Sequence, residues 1–281
     1  MPEYICSTKS AIMIDLHCHI LPDVDDGAAT LGESCCMARL AASDGMKTIV
    51  ATPHTCDGLY RNNREDIVAK VSALNAELTR ADIPLQVLAG DEVRLTTGVT
   101  DKLRRGEAST INKSRYILLA LPKIFHAETV KDEIFALRMN GYVPILAGPE
   151  RSPGLQRDFD CLKELVGLGV FCQITAASLT GGFGREVKFV AEKMVLQGLA
   201  HVIASDSHAS SWREPILSAA VKKAARILGD EAQARRLVSD LPEAIIGDRD
   251  VAMEIPSRDK VQPSDEKGNR PGPKKHFRYF S

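Results

Sequence analysis

Apolar and polar positions along this chain follow two patterns, one typical of strands and one typical of helices. Short apolar runs that stop at Pro, Gly or charged residues predict buried strands, at 12–19, 47–52, 85–93, 116–121, 143–147, 170–175 and 201–204. Stretches in which apolar residues recur every three to four positions predict helices, at 30–45, 64–81, 128–140, 158–168, 185–197 and 214–228. Strands separated by helices of this length imply parallel crossovers, in an α/β barrel or an open sheet. We favour a distorted (β/α)7 barrel.

Composition narrows the class of protein. The 281 residues are 44% apolar and 26% charged, which is typical of a soluble globular protein. The net charge of -1 gives no case for nucleic acid, and no apolar stretch approaches the about eighteen residues that a membrane span needs. Seven cysteines without paired spacing favour a reduced, cytoplasmic protein.

Three segments are expected. Residues 1–12 are a polar N-terminal extension without the pattern of a secretory signal. Residues 13–250 form the domain. Residues 251–281 change character, with four prolines and seven Lys or Arg against three Asp or Glu from Pro256 onward, and we expect a flexible, disordered polar tail there.

Candidate ligands of metal ions follow the predicted strands. His17 and His19 are two apart, so on a strand they point to the same side and can bind one ion. Later strand ends and loops add carboxylates and imidazoles, at Asp26, His54, Glu92, Asp206 and His208. This mixture suits manganese, iron or zinc. Ions a few Å apart can bind a phosphate oxygen and generate hydroxide.

Two arginines, Arg151 and Arg213, also follow strand ends, and a guanidinium matches phosphate bidentately. Taken singly, each candidate has a plainer interpretation. A lone His or Asp at a loop start is more often a cap or turn residue, and Arg151 could pair with Glu150. Of the three aspartates between 23 and 26, at most one is expected to be a ligand. His126 and His201 are interpreted as structural.

Chemistry on a phosphate ester could instead use a cysteine thiolate, which requires an Arg six residues after the Cys so that the loop wraps the phosphate. No cysteine of this chain meets that requirement: the residues six positions on are Ile12, Val24, Ala41, Ala42, Asn62, Gly167 and Ser178. The thiolate route is excluded.

Seven motifs spread over residues 13–247 carry a family resemblance: DLHCHILPDVDDGA, TIVATPH, LAGDEVR, RYILLALP, GPER, SLTGGFG and HVIASDSH. They resemble the PHP-superfamily protein tyrosine phosphatases of bacterial capsule and exopolysaccharide operons. The resemblance implies a metal-dependent phosphatase, usually with manganese, on a distorted barrel. Its substrate would be the phosphotyrosine tail of a partner kinase that controls polysaccharide synthesis. The resemblance does not fix the oligomeric state, and a homo-oligomer is one of the alternatives.

The resemblance also implies roles for residues. One ion would be held by His17, His19, Glu92 and Asp206, and another by Asp26, His54 and His208. Arg151 and Arg213 would hold the phosphate.

The chain departs from the family at a third ion, which would share Glu92 and needs a Glu and a His where this chain has Ala120 and Gly148. A frequent second His of the family is Thr55 here. We therefore expect about two ions per chain, unless His126 or Cys18 compensates. A histidinol-phosphate-like small-molecule phosphatase and a catalytically impaired phosphotyrosine-binding regulator are the alternatives.

Overall fold

The strands of this computed structural model, which describes residues 12–60 and 62–252, are all paired in parallel. They are β1 Met13–Cys18, β2 Met46–Ala51, β3 His54–Thr55, β4 Gln86–Ala89, β5 Glu92–Arg94, β6 Tyr116–Ala120, β7 Val143–Ala147, β8 Phe171–Thr175 and β9 Val202–Ala204. One sheet has the order β1-β2-β4 and the other the order β3-β5-β6-β7-β8-β9. Of the predicted N-terminal extension only Ile12 is described, and of the predicted tail only residues 251 and 252. The boundaries of the extension and of the tail therefore stay predictions.

The two sheets form one distorted ring of seven strands. Thr52 and Pro53 separate β2 from β3, and Gly90 and Asp91 separate β4 from β5, so each pair acts as one strand that changes sheet. Hydrogen bonds continue across the breaks, as from Gly90 N to Ala51 O at 3.0 Å. A parallel bridge between Cys18 and Ser207 joins β1 to the chain after β9. The predicted distorted (β/α)7 barrel is therefore confirmed.

Helices follow the strands on the outside. Their bounds are α1 Leu31–Ser43, α2 Arg64–Arg80, α3 Val99–Arg104, α4 Ala127–Met139, α5 Pro153–Arg157, α6 Phe159–Gly167, α7 Ala176–Thr180, α8 Arg185–Leu196, α9 Ser218–Leu228, α10 Glu231–Arg236 and α11 Asp240–Ile246. Single 3-10 turns lie at Ile111–Lys113 and Pro149–Arg151. All six predicted helices are present, whereas α3, α5, α7, α10 and α11 were not predicted. Within the described ranges no helix is long and apolar enough to cross a membrane.

The start of α9 differs from the prediction by four residues. The helix was expected from Glu214 and begins at Ser218. The carboxylate of Asp44 accepts hydrogen bonds from Leu217 N at 2.7 Å and Ser218 N at 2.9 Å. A distant side chain therefore satisfies the first free N–H groups of the helix, a contact that local sequence does not reveal.

The core has two parts. A small cluster takes its side chains mainly from the strands, including Leu16, Val50, Tyr116 and Phe171. A larger cluster lies between strands and helices. Packing on both faces leaves the carboxyl ends of the strands as the place where polar side chains gather, as in other α/β barrels.

Candidate metal and phosphate site

The two histidines of the first motif lie at the end of β1, where the strand is irregular. Pairing with β2 passes from Asp15–Ile49 to Cys18–Ala51, so three residues of β1 span two of β2. Such a bulge re-aims side chains, which is common next to active sites. Both rings are fully buried.

The acidic loop after β1 folds back on His19. Ala28 N donates to His19 O at 3.0 Å, and Asp23 N donates to Ala28 O at 3.0 Å. A Cβ on Gly27 would lie 2.2 Å from His19 O, so only glycine permits this approach. The loop thereby brings Asp25 and Asp26 to the histidines.

A first ligand group lies around His17. Its Nε2 is 3.1 Å from His19 Nε2, 3.3 Å from Asp206 Oδ1 and 3.6 Å from Glu92 Oε2. His19 Nε2 is 3.6 Å from that oxygen of Asp206 and 3.7 Å from Glu92. Donor atoms bound at about 2.1 Å to one tetrahedral ion lie about 3.4 Å apart. Ligand atoms of His17, His19 and Glu92 lie within 4.8 Å of one another, so these three side chains could hold one ion, and Asp206, which the resemblance adds to them, lies next to both histidines.

A second ligand group consists of His19, Asp26, His54 and His208, whose ligand atoms lie within 4.8 Å of one another. Asp26 Oδ1 is 3.2 Å from His54 Nε2 and 3.6 Å from His208 Nε2. His54 Nδ1 is also 2.8 Å from Glu92 Oε2. The family resemblance implies that three of these residues hold a second ion; in the structure His19 lies close to them as well and is therefore a member of both groups.

Residues behind the ligands orient them, and sequence reasoning missed them. Gln173 Oε1 is 2.9 Å from His17 Nδ1, and Asp25 Oδ2 is 2.7 Å from His19 Nδ1. Asp25 also accepts a hydrogen bond from His54 N at 3.0 Å. Partners of this kind fix the ring orientation of a metal-binding histidine. The signal for Gln173 was a polar residue inside the apolar run of β8.

Carboxylates in the cluster raise the pKa of two of its histidines. Burial lowers the pKa of His19, but its hydrogen bonds to Asp206 and Asp25 outweigh this and raise it to about 9. For His54, burial is likewise outweighed by Asp26 and Glu92, which raise the pKa to about 10.

The remaining members of the cluster titrate lower. Burial, with the charges of His19 and Arg213, lowers the pKa of His208 to about 4. Burial opposes ionisation of Asp206, yet the neighbouring histidines and arginines hold its pKa well below its usual range. Asp206 is thus ionised and His208 is neutral, the forms that bind metal, whereas His19 and His54 must each lose a proton before they can bind an ion.

Arg151 and Arg213 meet beside the cluster at Asp206. Arg151 Nη2 lies 2.5 Å from Asp206 Oδ2, and Arg213 Nη2 contacts the same oxygen. The ring of Phe183 covers both guanidinium groups, at 5.0 and 5.7 Å from its centroid. The Nε atoms of both arginines are buried and have no hydrogen-bond partner among the described residues. An oxyanion would satisfy these donors.

Two of these residues have strained backbones. Asp206 and Arg213 both have a backbone φ of +52°, in the left-handed region that residues other than glycine seldom adopt. Such strain is held by surrounding structure and is concentrated at functional sites.

The two departures from the family pattern contribute no ligand. Ala120 lines a cavity beside Glu92, and Gly148 has a φ of +54° with Arg151 against it. Within residues 12–60 and 62–252 the ligand groups are the two described above, and neither contains His126 or Cys18. Burial raises the pKa of the Cys18 thiol well above its ordinary value, which makes it a poor ligand and nucleophile.

The chemistry of the donor set fits divalent ions. Its donors are imidazole nitrogens and carboxylate oxygens without sulfur, which suits manganese, iron or zinc. Without an ion, the carboxylate charges are balanced by protonated His19 and His54 and by Arg151 and Arg213, and a divalent ion would take the place of the histidine protons.

Comparison with known proteins agrees with this geometry. The family model described as "Capsular polysaccharide synthesis, CpsB/CapC" matches residues 13–247. The tyrosine-protein phosphatase YwqE of Bacillus subtilis is 39% identical over 197 residues, covering 70% of this chain and 77% of YwqE. The tyrosine-protein phosphatase CpsB of Streptococcus pneumoniae is 29% identical over 242 residues, covering 84% of this chain and 99% of CpsB.

Solved structures show the same relationship. A crystal structure from work on YwqE and S. pneumoniae CpsB, described as unique metal-dependent tyrosine phosphatases, superposes with a TM-score of 0.78 at 33% identity. It covers 89% of this chain and all of that one. A histidinol phosphate phosphatase of Lactococcus lactis, at 11% identity and a TM-score of 0.51, shares the fold alone. Together, the motifs, the barrel and these matches show that the chain belongs to the CpsB/CapC family of capsular polysaccharide synthesis.

Proposed function

We propose that this protein is a metal-dependent phosphatase that hydrolyses phosphotyrosine. The observation that carries the proposal is the joint placement of two ligand groups, which share His19, with two arginines that meet at Asp206. A phosphate monoester needs cations at its oxygens and fixed donors that hold it, and this rim offers both.

The proposal includes about two divalent ions per chain, manganese first, with iron or zinc as alternatives. One would be held by His17, His19, Glu92 and Asp206, and the other by Asp26, His54 and His208 with His19 at the boundary. Such ions, when bound, polarise phosphate oxygens and lower the pKa of water toward neutrality.

The chain's own side chains would hold the ester. In the structure Asp206 occupies the Nη2 donors of Arg151 and Arg213, which keeps both side chains aimed at the cluster. Their free Nε–H groups can each donate to a phosphate oxygen. Phe183 excludes water from one side of both guanidinium groups, which strengthens these contacts.

We propose further that the substrate is the phosphotyrosine tail of a partner kinase that controls capsular or exopolysaccharide synthesis. Support comes from family membership and from relatives named tyrosine-protein phosphatases. A small-molecule activity such as histidinol phosphate hydrolysis has only the shared fold in its favour.

The test is hydrolysis of a phosphotyrosine peptide by the full chain with added Mn²⁺, alongside histidinol phosphate and a phosphoserine peptide. EDTA should abolish release of phosphate, whereas a thiol alkylator should leave it largely intact. His54→Gln should lose activity, and His126→Gln, which changes an exposed histidine outside both ligand groups, should not. Binding of the phosphotyrosine peptide without turnover would favour the catalytically impaired regulator.

A further inference from the structure

Arg94 lies beside the ligand groups in a place that the site above does not use. Alternate residues of a strand point to one side, so Arg94 shares the side of Glu92 on β5. In the parallel pairing with β6 it stands opposite Ala120, and Leu95 N donates to Ala120 O at 2.9 Å. The register therefore sets an arginine next to the position where the side chain is only a methyl group.

A cavity of about 180 Å³ connects Arg94 to the cluster. Its walls are formed by Asp26, His54, Asp57, Leu59, Tyr60, Glu92, Arg94 and Ala120. Three of these residues are candidate metal ligands, so one end of the cavity is the ligand cluster itself. Of the described residues that line it, Arg94 alone carries a permanent positive charge.

The guanidinium of Arg94 has no partner in the described part of the chain. No hydrogen bond, ion pair or ring contact there involves its side chain, although Asp57 and Glu92 line the same cavity. Arg151 and Arg213, by contrast, are both tied to Asp206. A half-buried guanidinium with free donors is prepared for an oxyanion.

Two other residues of the lining suit the organic part of an ester. Tyr60 stacks on His54, with ring centroids 5.9 Å apart and planes 14° apart, and Leu59 lies beside it. The cavity thus combines an aromatic wall, a free cation and the ligand cluster. It has room for a phosphate group with part of its ester.

We propose that Arg94 is a third arginine for substrate binding, which donates to an oxyanion of the phosphate in the cavity between Glu92 and Ala120. This rests on the proposed phosphatase function. A phosphate bound at the ligand groups would present one oxygen to Arg94 while Arg151 and Arg213 hold the Asp206 side. The phosphate, and not a carboxylate of the substrate, is the group proposed, because the cavity ends at the cluster.

The experiment compares Arg94→Gln and Arg94→Lys with Arg104→Gln in the manganese-loaded full chain. Arg104 lies on α3 outside the cavity and pairs with Asp101, so it controls for loss of one positive charge. Inorganic phosphate is titrated calorimetrically, KM and kcat are measured on p-nitrophenyl phosphate, and manganese content is determined. A charge-assisted hydrogen bond predicts that Arg94→Gln weakens phosphate binding and raises KM roughly 10- to 100-fold. Its kcat should change much less, Arg94→Lys should recover part of the loss, and Arg104→Gln should stay within about twofold.

Three results would overturn the proposal. The first is unchanged phosphate affinity in Arg94→Gln. The second is a rise in KM confined to peptides with acidic residues, which would assign Arg94 to a carboxylate of the substrate. The third is loss of manganese in both Arg94 variants, which would make the residue structural. If the wild-type chain binds phosphate but hydrolyses no ester, the phosphatase function fails while the titration still decides the role of Arg94.

Discussion

Metal binding should release about two protons at pH 7. Without metal, His19 and His54 have pKa values of about 9 and about 10, so both are protonated at neutral pH. An ion binds only neutral imidazole. Removing these protons at pH 7 spans two and three pKa units, which together cost about 7 kcal/mol of binding free energy.

The product of the affinities for the two ions should rise about 100-fold per pH unit from pH 7 to 9, about tenfold from 9 to 10, and then level off. The fold without metal should behave in the opposite way. Raised histidine pKa values stabilise it fully below about pH 6.5, and that contribution is lost as pH rises through 9 and 10.

Calorimetric titration with Mn²⁺ at pH 7, in two buffers of different ionisation enthalpy, counts the protons. Asp25→Asn provides the matched perturbation, because it removes the carboxylate 2.7 Å from His19 Nδ1 that helps to raise the pKa of His19, and it should therefore reduce the count. Fewer than one proton released by the wild-type chain, or affinity independent of pH, would refute this account of the cluster.

Two further predictions concern Gly148 and His201. Gly148→Ala should cost about 1–2 kcal/mol of stability, because φ at this position is +54°. It should also raise KM, because the new Cβ would lie 2.6 Å from Arg151 Nη2. The control Gly141→Ala has a φ of +82° with no atom within 4 Å, so it should show only the loss of stability. Thermal melting and steady-state kinetics separate the two effects. Burial lowers the pKa of His201 to about 4, so the unfolded chain binds more protons below pH 6.5 and stability falls by up to about 3 kcal/mol toward pH 4. Urea unfolding should show a flatter pH dependence in His201→Gln, and an unchanged slope would contradict the assignment.

The sequence predicted the barrel because each strand has its own apolar run and each crossover its own helical period. The sequence did not predict the strand boundaries that depend on pairing between distant segments. The run 85–93 was predicted as one strand, but it breaks at Gly90, where a Cβ would lie 2.8 Å from Val50 Cγ1. The short strand β3 has two residues, too few for any periodicity to show.

The nine candidate site residues could be chosen from sequence because each lies at or shortly after the end of a predicted apolar run, and the structure brings all nine to one rim. The residues that orient these ligands could not be chosen from sequence. Asp25 and Asp26 are neighbours in one acidic loop, and only the folded backbone shows that Asp25 supports His19 while Asp26 faces His54. Arg94 lay inside a quoted motif, yet its free guanidinium becomes visible only beside the cavity at Ala120.

The position of Gly148 shows why the ligands of a third ion cannot simply be added to this chain. A Cβ there would lie 2.6 Å from Arg151 Nη2 and 2.7 Å from Nε, so a side chain at 148 and the present position of Arg151 exclude each other. Ala120 meets no such conflict, since it lines open cavity.

Restoring both ligands, as Ala120→Glu with Gly148→His, should therefore have a mixed result. Manganese content should rise by one ion, because a Glu, a His and the existing Glu92 suffice for a site that either single change leaves incomplete. KM should rise as well, because Arg151 must leave Asp206 to make room for the histidine. Elemental analysis and kinetics at pH 7 test both halves. An added ion with unchanged KM would show that Arg151 holds the phosphate from another position, and no added ion in a folded double variant would show that Arg151 keeps its place against the histidine.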